Sequence, residues 1–364
     1  MTRLNRRSFL AASVASSTVL ATRNVWCDEA ARHWADVRDW GVEGRGFNDT
    51  ENYFDRLPGR AKGLVREPVW ELSRHSAGMM VRFRTDAHEI YVDYGVTSAN
   101  LAMPHMPATG VSGLDLYAKD NDEKWKWVAV VAPTTQRTEA KMISGLDPGE
   151  RDYSIYLPLY NGTEFLKIGV PASAKFQPIA PRDTKPIVFY GTSITHGACA
   201  SRPGMPHPAI LGRRLNRPVI NLGFSGNGRM EAEVGQFLTE LDAAAYVIDC
   251  LPNMTAEEVT ANTQPLVQQL RARTEAPIVL VEDRSYSGSW VITSQRHRNE
   301  NSRKALKEQY RQLLDAGIDR LSYIDGESLL GEDRDDTTDG SHPSDLGFQR
   351  HADAFEPELR KILG

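Results

Sequence analysis

From about residue 80 the chain alternates apolar with polar positions. Met80-Val81-Arg82-Phe83-Arg84, Glu89-Ile90-Tyr91-Val92-Asp93-Tyr94 and Lys124-Trp125-Lys126-Trp127-Val128 set β-branched and aromatic side chains between charged ones. A period of two puts one face of the backbone on a core and the other in water, so these runs predict half-buried strands. Asp147-Pro148-Gly149 and Asn161-Gly162 are turn signals, and they bracket further runs at 153–157 and 165–170. No long amphipathic helix interrupts residues 60–170. An antiparallel β-sandwich over residues 31–175 is therefore predicted.

The rhythm then changes. Residues 171–186 hold four prolines and little apolar periodicity, which marks a connector, placed at 176–185. Beyond it, continuous apolar runs at 186–190, 219–222, 245–250, 277–281 and 321–324 alternate with helical stretches, notably 256–273 and 302–316. Strands that are apolar on both faces belong to a parallel sheet covered by helices on both sides. Residues 186–364 are thus expected to form a doubly wound α/β domain, with ligands bound at the carboxyl ends of its strands.

Composition narrows the function classes. The chain has 364 residues, a formal charge of -5 and mixed acidic and basic positions, which argues against nucleic acid or an anionic membrane as main partner. Three cysteines are too few for a disulfide scaffold. Cys199 and Cys250 fall near strand ends, where a disulfide is possible after export but two buried thiols fit better. At the N-terminus, Arg6-Arg7-Ser8-Phe9-Leu10 leads into a weakly apolar run to Thr22. This layout predicts a twin-arginine export signal within residues 1–30, and hence a periplasmic or extracellular protein. No later segment has the apolar length of a membrane span.

Four short blocks carry candidate chemistry. Tyr190-Gly191-Thr192-Ser193-Ile194-Thr195-His196-Gly197 opens at the last residue of the first parallel strand. A serine there can present its Oγ at the sheet edge and its N–H at a helix start. Thr195 stands where a Gly-x-Ser-x-Gly elbow needs glycine, which disfavours the standard α/β-hydrolase fold. Near the C-terminus, Asp339-Gly340-Ser341-His342 allows the Asp to fold back onto Nδ1 and leave Nε2 free to take a proton. Asn221-Leu222-Gly223-Phe224-Ser225-Gly226-Asn227 and Asp249-Cys250-Leu251-Pro252-Asn253-Met254 leave the second and third strands. In a 2-1-3-4-5 strand order they flank the first, so Gly226 and Asn253 would converge on Ser193.

Together the blocks resemble the SGNH (GDSL-like) hydrolase superfamily, whose sheet is flavodoxin-like. The resemblance implies Ser193 as nucleophile, Ser193, Gly226 and Asn253 as oxyanion donors, Asp339 as orienting acid and His342 as base. Thr192 replaces the usual Asp of the first block, and Leu251-Pro252-Asn253-Met254 departs from Gly-x-Asn-Asp. Gly113-Leu114-Asp115-Leu116-Tyr117 is similar to the GxDLY modules that precede one subgroup of these enzymes. That subgroup implies ester or acyl-transfer chemistry, with short acyl (acetyl) esters of a carbohydrate or other small alcohol as substrates.

Further candidates are weaker. His105 is placed on a loop that can reach the site, His196 and His207 lie near the nucleophile in sequence, and Glu282 and Arg284 follow the fourth strand; His105, His196, Glu282 and Arg284 are the candidate substrate contacts. Trp125 and Trp127 fit either a sugar-stacking platform or inter-domain packing. No HExxH, paired CxxC or phosphate loop occurs, so no metal or other cofactor is expected. Two rival readings remain: an acyltransferase on the same triad, and a non-catalytic carbohydrate-binding protein.

Overall fold

The structure, a computed structural model, describes residues 31–364; the expected export signal lies outside the described residues. With strands numbered in chain order, one antiparallel sheet runs β1 (Arg32–Asp36), β8 (Thr163–Pro171), β3 (Glu89–Val96), β6 (Arg137–Ser144). A second runs β5 (Trp125–Val131), β4 (Leu114–Lys119), β7 (Arg151–Tyr156), β2 (Met80–Thr85), β9 (Phe176–Ile179). Their inner faces meet through Val92, Tyr94, Leu166 and Ile168 on one side and Val81, Phe83, Leu116 and Ile155 on the other. This is the β-sandwich that the period-two pattern predicts.

Two segments depart from the expected layout. Phe176–Ile179, read as the start of the linker, is an edge strand paired antiparallel with β2. Proline hides such a strand from pattern reading, yet an edge strand, paired on one side only, tolerates Pro178. The chain between β1 and β2 also leaves the sandwich. Phe47, Leu57, Val65 and Val69 and Trp70 of α1 (Glu67–Ser73) pack into the core of the following α/β layer.

That layer is a five-stranded parallel sheet in the order β11 (Val219–Gly223), β10 (Ile187–Gly191), β12 (Ala245–Asp249), β13 (Ile278–Val281), β14 (Leu321–Ile324). The order in chain terms is 2-1-3-4-5. Each continuous apolar run splits between two faces. Val188, Tyr190, Leu222, Ile248 and Leu280 join one core with α5 (Ala232–Leu238), α6 (Ala256–Arg271) and α7 (Thr293–Asp315). Ile187, Phe189, Val247 and Val279 join the other with α3 (Ser193–His196), α4 (His207–Arg214) and α8 (Asp345–Leu363). Thr255 and Glu258 cap α6 reciprocally (3.2 and 2.8 Å). Helix α7 begins at Thr293, earlier than the apolar spacing indicates, because its first turns are polar and are held by Asn299 rather than by an apolar stripe.

The GxDLY residues join the two layers. The buried Asp115 carboxylate accepts from Gly204 N (2.8 Å), Arg202 Nη1 (3.0 Å) and Trp127 Nε1 (2.9 Å). Gly113 admits no side chain, since a Cβ would lie 2.4 Å from the carbonyls of Thr109 and Val131. Just upstream, α2 (Ala108–Val111) meets the segment after α3: Thr109 donates to Ser201 O (2.6 Å). No helix among the described residues is long and apolar enough to cross a membrane.

Candidate active site

Strand β10 ends at Gly191, level with Gly223 of β11 and Asp249 of β12. The chain turns at once into α3, with Thr192 as N-cap and Ser193 as first helical residue. Glycine is required at this turn. A Cβ on Gly191 would sit 2.1 Å from Thr195 Oγ1, and one on Gly223 would sit 2.2 Å from His196 N. Such close packing of a helix onto two strand ends holds Ser193 at the sheet edge.

The loop before α8 brings the other two groups to it. The Ser193 hydroxyl donates to His342 Nε2 (2.8 Å), and His342 Nδ1 donates to Asp339 Oδ2 (2.7 Å). The other carboxylate oxygen of Asp339 accepts from the backbone N–H groups of Ser341 (3.0 Å) and His342 (2.8 Å). Burial works to raise the pKa of Asp339, but these hydrogen bonds and the neighbouring imidazole prevail and hold it below the ordinary carboxylate range. An ionised Asp339 fixes the tautomer that leaves Nε2 as acceptor. Ser193 is nearly buried, whereas the His342 and Asp339 side chains are 27% and 43% exposed, so water reaches the pair.

Gly226 and Asn253 flank Ser193 on the neighbouring strand ends. Gly226 is exposed, with φ at +71°, a conformation that favours glycine. Asn253 closes a short 3-10 turn, Leu251–Asn253. Its amide oxygen accepts from Asn227 N (2.9 Å) and Gly228 N (3.2 Å), which assigns Nδ2 to the opposite side of the amide. The two loops are therefore fastened to each other. The β11 loop is in turn clamped on β10: Phe224 N donates to Gly191 O (2.9 Å), and a Cβ on Gly228 would lie 2.0 Å from that same oxygen.

Three of the candidate substrate contacts are corrected by burial. His196 is wholly enclosed; its Nε2 is 2.7 Å from Leu159 O and its ring stacks on Tyr160 at 4.1 Å. Burial drives its pKa well below the usual imidazole value, so it is neither base nor ligand contact. Glu282 is buried and accepts from Tyr323 Oη (2.5 Å) and Gly326 N (2.8 Å). Arg284, also buried, donates to Ser341 O (3.0 Å) and to the Ser341 hydroxyl, and pairs with Asp283. It grips Ser341, which precedes His342, instead of a ligand. His207, the other histidine near the nucleophile in sequence, is fully enclosed against Phe348 and Phe355. His105 is exposed at the tip of a turn bridged by Met103 and Met106, and Met106 shares a core cluster with Ile194 of α3.

Sequence reasoning missed Arg56. Its buried guanidinium donates to the carbonyls of Asn221 (3.1 Å), Gly223 (2.8 Å), Leu72 (2.5 Å) and His75 (2.9 Å). Burial lowers its pKa to about 9. Cys199 is also close: its Sγ, an Asp339 oxygen and a His342 nitrogen lie within 4.8 Å of one another. Among the described residues this is the one group of three such donor atoms that lie so close together. Cys199 and Cys250 are both free thiols.

A serine hydroxyl at a strand end, hydrogen-bonded to an imidazole that an Asp orients, defines a serine hydrolase built on a doubly wound sheet. The chain belongs to the GDSL-like lipase/acylhydrolase family, which it matches over residues 184–360, and residues 32–176 match the N-terminal module of SGNH-hydrolase-type esterases. It is an enzyme that hydrolyses ester bonds. A GDSL-like lipase from Bacteroides ovatus is 32% identical, with a TM-score of 0.87 over 92% of this chain and 98% of that one. A salicylyl-acyltransferase from a tetracycline biosynthetic pathway shares the fold at 18% identity (TM-score 0.71; 91% and 97% covered). So does a family two carbohydrate esterase from Cellvibrio japonicus at 13% (TM-score 0.58; 92% and 98% covered). No curated protein matches the chain.

Proposed function

We propose that Ser193, His342 and Asp339 are the catalytic triad of an esterase that removes short acyl groups, such as acetyl, from a carbohydrate or other small alcohol. The observation that carries this reading is the unbroken hydrogen-bond chain from the Ser193 hydroxyl through His342 to Asp339. His342 Nε2 takes the Ser193 proton as Oγ attacks the ester carbonyl. The oxyanion accepts from the N–H groups of Ser193 and Gly226 and from the Asn253 amide. His342 passes its proton to the leaving alcohol, and the acyl group remains on Ser193. Water, deprotonated by the same imidazole, then releases the acid.

The exposed flank of His342 and Asp339 supports water as the acceptor in the second step. A ring-bearing alcohol is supported by Trp290, 71% exposed, on a turn whose Ser287 N donates to Gly340 O (2.9 Å), within the Asp339–His342 loop. Export through a twin-arginine signal remains part of the proposal, and places the substrate outside the cytoplasm. The test is turnover of p-nitrophenyl acetate and of acetylated sugars by wild type and Ser193→Ala. A fall of roughly a millionfold is expected with the fold intact; a variant that kept near-normal turnover would remove Ser193 from the mechanism.

A further inference from the structure

A cleft of about 680 Å³ opens between the β4–β5 hairpin of the sandwich and the C-terminal end of α4. None of Ser193, Asp339 and His342 lines it. The cleft size is in the range of about 300–1,000 Å³ typical of small-ligand sites.

Two features of its walls point to a ligand. The first is Trp127, which is 50% exposed yet held fast. Its indole N–H donates to the buried Asp115, and the Arg202 guanidinium lies 4.9 Å from its ring centroid. A large apolar plane left half in water but denied rotational freedom is a preorganised stacking surface, because its ordering entropy is spent on folding and not on binding. The second is charge. Lys119, Lys124, Arg202, Arg213 and Arg214 face the cleft against Glu123 alone, in a chain whose net charge is -5. Two of these cations have no carboxylate within salt-bridge distance: Lys124, which is exposed, and Arg213, whose guanidinium stacks on Tyr117 at 4.1 Å. Unpaired positive charge beside an aromatic plane complements a ring that carries an anion.

We infer that this cleft is a second ligand site that binds an acidic saccharide, with a sugar ring on Trp127 and its carboxylate or sulfate toward Lys124 and Arg213. The site goes beyond the ester chemistry and stands whether or not sugars are the substrate at Ser193. It gives the sandwich the task of holding an anionic glycan.

Titration calorimetry with an acetyl-free galacturonate trisaccharide tests this. Wild type should bind it at least about tenfold more tightly than a neutral trisaccharide. Lys124→Glu, a change on an exposed turn, should weaken binding about tenfold at low salt, with the difference shrinking at high salt. Trp127→Ala should weaken it at every salt concentration. Protein whose Ser193 is blocked with a sulfonyl fluoride should bind as wild type does. A sulfated trisaccharide arm shows which anion is preferred, and binding of either one supports the site. Equal affinity for the neutral sugar, loss of binding on blocking Ser193, unchanged affinity in Lys124→Glu, or tighter binding of oligo(dT) would each overturn it.

Discussion

At the level of single residues, the site separates groups that react from groups that hold them. Asp339 does not touch Ser193; it orients the imidazole and is held ionised by two backbone N–H groups and the ring itself. Asp339→Asn should therefore keep the loop geometry while presenting the wrong tautomer, and lower kcat by about ten-thousandfold with little change in KM. Arg284 acts one step further back. Its guanidinium fixes the carbonyl and hydroxyl of Ser341, and Asn299 braces it by donating to Arg284 O (2.9 Å) and to Asp283 (3.1 Å). Arg284→Lys keeps the charge but loses the planar fork. We expect kcat for p-nitrophenyl acetate to fall at least about tenfold and KM to stay near wild type; a variant changed in KM alone would return Arg284 to the role of a substrate contact. The sequence shows an arginine after the fourth strand but not which way it points. That direction is set by Ser341, 57 residues later in the chain.

Among the elements, legibility follows periodicity. The five parallel strands are mostly apolar and announce themselves; β2 alternates over Val81 to Arg84, whereas β3 is buried at every position after Glu89. Strand β9 carries a proline and lies at a sheet edge, while the first turns of α7 are polar, so no period reports either one. The segment between β1 and β2 was harder still. Its apolar residues have no regular spacing, since they fill the flank of a sheet encoded more than a hundred positions later. Arg56 is the main product of that crossing. Four carbonyls, two of them on β11, accept from its guanidinium, which forms no salt bridge with a carboxylate among the described residues. Arg56→Met would take a donor from each of these carbonyls, of which Leu72 O keeps His75 N (3.2 Å), and urea unfolding should show a loss of about 3 kcal/mol or more. Because Gly223 is one of the four, activity at temperatures where the variant is folded should also fall. The glycine contacts are legible only in three dimensions. Gly228→Ala should collapse turnover, since its Cβ would strike Gly191 O at 2.0 Å and push the Gly226 loop off the nucleophile strand.

The whole molecule carries a proton ledger that sets its tolerance of acid. His196, His207 and His351 are buried, His75 packs on His196, and burial pushes all four below the ordinary imidazole value, His75 to about 3 and His351 to about 4. Asp249, behind the nucleophile helix, is pushed the other way by burial, to about 7, although a hydrogen bond from Thr195 (3.0 Å) opposes the shift. Between about pH 4.5 and 6, unfolding lets these four imidazoles take up protons while the Asp249 carboxyl gives one up. The unfolded chain then binds more protons than the native one, so stability must rise with pH across this window. As pH passes about 6.5, the ordinary imidazole value, this contribution fades, and the smaller opposing proton on Asp249 fades with it near pH 7. Stability from these groups therefore levels off above neutrality. His207 offers the cleanest test. Both its ring nitrogens lack hydrogen-bond partners, and the ring packs against Phe348, Phe355 and His351, with Asp249 4.0 Å away. His207→Phe keeps the aromatic packing and removes one titrating group. Urea unfolding from pH 4.5 to 6 should then show a slope lower by about one proton and an acid transition moved to lower pH. An unchanged slope would mean that His207 is already protonated in the native state as an ion pair with Asp249, and the assignment of the proton between these two groups would have to be reversed.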